Sequence, residues 1–264
     1  VRAQVNGINL AYSDEGQGLP VVFLHAFPFN RAMWDPQIKS LSDRFRVITV
    51  DLRGHGESDA PLWRYSMDQF ADDVKGLLDH LAIQQAVLVG LSMGGYILFA
   101  FWRRYPERVK ALVLADTRAT PDNEEGRAKR IAMAQALYKD GPSAVADLMM
   151  PILLSPAAQT GRPDLVQRVR DIIMTTPYSG IFGDLMALHD RPDSVPSLKD
   201  ITCPTLVIVG EQDIGTPPSD ARLIAEGIKG AQLAIIPGAG HLSNMEQPEV
   251  FNRAIRLFLE GIKN

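Results

Sequence analysis

Apolar residues along this chain fall into two kinds of pattern. Short unbroken runs, rich in β-branched residues, occupy 21–24, 47–50, 87–89, 111–115, 205–209 and 233–236. Runs of that length without polar alternation predict strands buried on both faces of a parallel sheet. Two further strands, 1–5 and 8–13, flank Asn6-Gly7, a dipeptide that specifies a two-residue hairpin turn. Elsewhere the spacing is helical. Phe70, Val74, Leu77, Leu78 and Leu81 share one face of a helix over 67–81. A helix over 93–105 stops before Pro106, and 221–228 and 248–259 complete the set. Strands alternating with helices define an α/β domain, a parallel sheet covered by helices on both sides.

The segment from about 118 to 200 breaks that rhythm. It holds no comparable strand; 131–138, 144–150 and 165–174 predict helices separated by Pro142, Pro151, Pro156, Pro163 and Pro177. The economical organisation is one core domain, 1–117 and 201–264, interrupted by a helical insertion over 118–200. A chain of 264 residues suits one large domain carrying such an insertion.

Composition narrows the function classes. The formal net charge is −4 and no long run of one sign occurs, so the clustered basic face of a nucleic-acid partner is not expected. No apolar run reaches the length of a membrane-spanning helix, and residues 1–4 lack the pattern of a secretory leader. The single cysteine, Cys203, rules out an internal disulfide and suits a reducing, cytoplasmic setting. Its place before Pro204 and a strand predicts a buried, inert thiol.

The sharpest chemical signal is Gly90-Leu91-Ser92-Met93-Gly94, between a predicted strand and a predicted helix. In that context G-x-S-x-G is a nucleophile elbow, a tight turn that exposes a serine beside a helix N-terminus. A serine hydroxyl needs a base to remove its proton. Of five histidines, His80 lies on an amphipathic helix and His189 in the insertion. His25 and His55 fit structural or loop-positioning roles. His241 follows the last strand, in the loop where catalytic residues of a parallel sheet collect. An acid must then fix the imidazole tautomer. Asp213, just after the strand 205–209, gives the order Ser, Asp, His; Asp116, after the strand 111–115, is the rival. Two backbone N–H groups are needed for an oxyanion, and Met93 and Phe27 are the candidates. This chemistry calls for no metal or organic cofactor.

Several separated motifs carry a family resemblance. They are Leu24-His25-Ala26-Phe27-Pro28, Asp51-Leu52-Arg53-Gly54-His55-Gly56-Glu57-Ser58, Gly90 to Gly95, Gly210-Glu211-Gln212-Asp213 and Gly240-His241. In that order the chain resembles the α/β-hydrolase superfamily, and within it bacterial carboxylesterases and 3-oxoadipate enol-lactonase-like hydrolases. The resemblance implies an eight-stranded, mostly parallel sheet, an antiparallel first hairpin and a helical cap over 118–200. One departure concerns the oxyanion loop: the family usually has His-Gly where this chain has His25-Ala26, and alanine tolerates fewer backbone angles.

The reading is therefore a serine esterase acting through an acyl-enzyme on a small ester or lactone, as a monomer or homodimer. Trp34, Phe29 and Phe182 are the substrate-binding candidates, alongside Leu185 and the methionines of the insertion. Arg162, Arg168, Arg170 and Arg191 are candidates for pairing a substrate carboxylate, as an enol-lactonase or C–C bond hydrolase requires. A perhydrolase activity would use the same triad. A non-catalytic ligand receptor on the same fold is the reading from a different class.

Overall fold

The Asn6-Gly7 turn forms where its signal predicts: both residues take positive φ, 45° and 76°, the twist that a two-residue hairpin needs, and Val5 pairs with Ile8. This hairpin opens the computed structural model of the chain, which describes residues 1–262. It joins β1 (Arg2–Val5) to β2 (Ile8–Glu15). There follow β3 (Pro20–Leu24), β4 (Arg46–Val50), β5 (Ala86–Leu91), β6 (Val109–Ala115), β7 (Thr205–Gly210) and β8 (Gln232–Ile236). The eight strands form one sheet in the order β1-β2-β4-β3-β5-β6-β7-β8. β1–β2 and β2–β4 are antiparallel; every later pairing is parallel.

Between the strands lie α1 (Asp35–Leu41), α2 (Met67–His80) and α3 (Met93–Arg104). α2 starts where the Ser66 side chain accepts the Gln69 N–H, and it buries the predicted stripe of Phe70, Val74, Leu77 and Leu78. Each such side chain contributes about 1.5–3 kcal/mol when fully buried. Residues between β6 and β7 form α4 (Glu124–Asp140), α5 (Pro142–Leu153), α6 (Pro156–Gly161), α7 (Pro163–Met174) and α8 (Tyr178–Asp190), with no strand among them. α9 (Pro218–Gly227), α10 (Ser243–Glu246) and α11 (Pro248–Glu260) complete the fold.

Two expectations need correction. The run 233–236 was expected to be buried on both faces, but β8 is an edge strand whose Leu233 and Ile235 are 37% and 38% exposed. α8 was not predicted at all. Its Gly180 and Gly183 weaken helix propensity, yet packing requires them: a Cβ at Gly180 would lie 1.9 Å from the Gly54 carbonyl oxygen, and one at Gly183 2.4 Å from the Tyr65 ring. Tertiary contact with the 54–65 loop overrides the local preference.

Candidate active site

Ser92 sits between the end of β5 and the first residue of α3. Its backbone is forced into φ 54°, ψ −111°, a conformation that persists only when neighbours over-determine it. They do so here. The Ser92 N–H donates to Ala115 O (2.9 Å), and its carbonyl accepts from the Gly95 N–H (2.9 Å) and the Thr117 hydroxyl (2.8 Å). A Cβ at Gly90 would stand 2.4 Å from the Gly94 backbone, and one at Gly94 2.4 Å from Leu24 O. The glycines of the motif are thus dictated by close backbone approach.

β7 delivers Asp213 to the same carboxyl edge of the sheet. Its Oδ1 accepts from the Gly215 and Thr216 N–H groups, at 2.8 and 2.9 Å. Its Oδ2 accepts from the Thr216 hydroxyl at 2.6 Å and from His241 Nδ1 at 2.8 Å. The ionised carboxylate only accepts, so Nδ1 carries hydrogen and Nε2 is left as the basic nitrogen. Burial favours the protonated form of Asp213, but the His241 charge and the bonds from His241 and Thr216 outweigh it and hold the carboxyl below its ordinary range. For His241 burial acts downward, while the charges of Asp213 and Asp116 and the Asp213 bond raise it above the ordinary imidazole value. The Ser92 hydroxyl forms no hydrogen bond with the imidazole among the described residues; apo enzymes often tighten that contact only with substrate bound.

Asp116, the rival acid, makes no hydrogen bond to His241. Its carboxylate accepts from the Gly210 N–H (2.7 Å) and the Ser243 hydroxyl. It is fully buried, and that burial together with the Asp213 charge pushes its carboxyl well above the ordinary value. It braces the ends of β6 and β7 and the histidine loop.

The Phe27 and Met93 N–H groups find no backbone acceptor among the described residues, as an oxyanion pair requires. The Phe27–Pro28 peptide is cis. Ala26 is fully buried and does not adopt positive φ; among the described residues the non-glycine residues that do are Asn6, Ala82, Ser92 and Asp116. Alanine therefore fits here without the freedom of glycine. His25 is locked in place, its Nε2 accepting from Leu52 N–H (3.0 Å) and its Nδ1 donating to Ala26 O (2.9 Å). Burial, followed by the nearby His55, keeps it well below the ordinary imidazole value. His55 packs against it with ring centroids 4.6 Å apart and planes tilted by 59°, and lies 2.8 Å from Asp184 of α8. Both histidines brace loops.

Trp34 and Phe29 do not present surface to a ligand. Both are fully buried, Trp34 packing against Phe23 and Phe251. Phe182 is partly exposed and lines an apolar groove of about 370 Å³ between α4 and α8, with Tyr138 and Met186. The four arginines are engaged within the protein: Arg162 with Glu246 O, Arg168 with Asp35, Arg170 with Asp147, and Arg191 with Asp122. Sequence patterning missed Thr216, which shares hydrogen bonds with Asp213 and His241, because a threonine three residues past an acid carries no signal of its own. Cys203 is only half-buried rather than buried as expected, and that partial burial still raises its thiol to about 11. No helix among the described residues is long and apolar enough to cross a membrane.

Residues 20–147 match the family model of the alpha/beta hydrolase fold. The structure superposes on a thermophilic esterase from Thermogutta terrifontis, solved with malate bound, at TM-score 0.97 and 40% identity over 100% of both chains. The enol-lactonase from Burkholderia xenovorans LB400 superposes at TM-score 0.92 and 32% identity, covering 98% of this chain and 100% of that one. 3-Oxoadipate enol-lactonase 2 of Acinetobacter baylyi is 32% identical over 98% of this chain and 95% of its own. The chain belongs to the α/β-hydrolase family, with the eight-stranded sheet that the motifs implied.

Proposed function

We propose that this protein is a carboxylesterase acting on small esters, with Ser92 as nucleophile, His241 as base and Asp213 as orienting acid. The observation that carries the reading is the buried Asp213–His241 pair, held at the sheet edge from which the strained Ser92 projects. Ser92 Oγ attacks the ester carbonyl carbon as its proton passes to His241 Nε2. The carbonyl oxygen takes negative charge and meets the Phe27 and Met93 N–H groups. The tetrahedral species collapses, the C–O bond to the alcohol breaks, and His241 returns its proton to the departing oxygen. Water, deprotonated by the same nitrogen, then releases the acid and restores Ser92. Preorganised donors of this kind each stabilise such a transition state by about 3 kcal/mol.

A second reading, an enol-lactonase, is favoured by the full-length likeness to enol-lactonases. It needs a cation for the substrate carboxylate, and the four arginines named for that task already have partners within the protein. The neutral ester is therefore the better match. Comparing kcat/KM for a short-chain aryl ester and a carboxylated enol-lactone tests this. The esterase reading expects the neutral ester to lead, and a lactone that leads would overturn it.

A further inference from the structure

Glu246 lies in α10, is 4% exposed, and has no part in the steps above. Its Oε1 accepts from the Gly240 N–H at 2.8 Å. Its Oε2 accepts from Ser155 of the insertion twice, from the N–H at 3.0 Å and the hydroxyl at 2.6 Å. The neighbouring backbone repeats the link, Leu242 N–H donating to Leu153 O at 3.0 Å. Gly240, through Glu246, and Leu242, directly, are thus tied to one short stretch of the insertion, the last residue of α5 and the turn into α6. The junction is closed: a Cβ at Gly240 would lie 2.5 Å from Ser155 N and 2.9 Å from Glu246 Oε1. From the sheet side, Asp116 holds the same loop at Ser243.

We propose that Glu246 is a positioning residue that couples the seating of the insertion at Ser155 to the placement of His241 opposite Ser92. The inference rests on the serine-esterase reading. A carboxylate with three charge-assisted hydrogen bonds fixes geometry as well as energy, and displacing a reacting group by about 1 Å costs on the order of 100-fold in rate. A carboxylate with a purely structural role would affect the folded fraction and leave the turnover of each folded molecule unchanged.

The test uses the full chain as wild type, Glu246→Gln and Ser155→Ala. It reads kcat and KM on a short-chain aryl ester, the rate of fluorophosphonate labelling, and Tm. In Glu246→Gln the amide NH2 must face a backbone N–H, donor against donor. The expected result, well below the Tm of the variant, is a fall of about 10- to 100-fold in both kcat and labelling rate, with KM within about twofold. Ser155→Ala, lacking one hydroxyl donor, moves both the same way by a smaller factor. Wild-type kcat and labelling per folded molecule in Glu246→Gln would overturn the inference. If that variant does not fold, wild-type values in Ser155→Ala overturn it. Failure of the serine reading is seen separately, as a wild-type protein that is not labelled at Ser92.

Discussion

His241 Nδ1 lies 2.8 Å from Asp213 Oδ2, on a carboxylate that accepts three further hydrogen bonds from Gly215 and Thr216. The acid is therefore fixed before the imidazole is. In Asp213→Asn the amide keeps the shape but donates to Nδ1, driving the proton to Nε2 and removing the base. The expected loss in kcat is about 10⁴-fold with little change in Tm, measured by steady-state kinetics and thermal unfolding.

The pH dependence follows from the same pair. Burial depresses the imidazole, but the carboxylates of Asp213 and Asp116 outweigh it, so His241 titrates above the ordinary value, which is about 6.5. The proposed mechanism needs neutral Nε2, so kcat/KM is expected to rise with pH through a midpoint above 6.5. For stability the sign is opposite. The protonated imidazole stabilises the fold fully below the unfolded value, and that contribution is lost as pH rises through the folded one. A rate profile over roughly pH 5 to 9 checks the first statement; a midpoint at or below the ordinary value contradicts it.

His55 and Asp184 join the core to α8 of the insertion through a contact of 2.8 Å between fully buried groups, close but poorly aligned for a hydrogen bond. Removing one partner strands the other in a dry interior. Asp184→Ala is expected to cost about 3–5 kcal/mol in urea unfolding. Replacing both residues by apolar ones of similar volume is expected to cost much less.

Gly94→Ala places a Cβ 2.4 Å from Leu24 O, a backbone atom at the carboxyl end of the interior strand β3. Overpacking there should destabilise by about 1–3 kcal/mol and lower activity by moving Ser92. Gly161→Ala is the control, since nothing lies within 4 Å of its Cβ; its Tm should stay within about 2 °C of wild type.

The parallel strands were legible because their unbroken apolar runs reflect burial on both faces, and the elbow was legible because steric demand leaves only small residues at Gly90 and Gly94. Features set by remote packing were not legible. α8 contains glycines that local preference reads as helix breakers, yet Gly54 and Tyr65 require them. Trp34 and Phe29 look like pocket residues by type, and only the fold shows them fully buried. Leu233 and Ile235 form an apolar run whose exposure depends on β8 being last in the strand order. Glu246 is indistinguishable in sequence from a surface carboxylate, because its donors come from 6 and 91 residues away.

The central claim is that His241 activates Ser92. Fluorophosphonate labelling followed by peptide mass mapping tests it most directly, on wild type, Ser92→Ala and His241→Ala. The account predicts one adduct, on Ser92, absent from Ser92→Ala and formed about 10²–10⁴-fold more slowly in His241→Ala. An adduct on another residue, or a His241→Ala protein that reacts as fast as wild type, would contradict it.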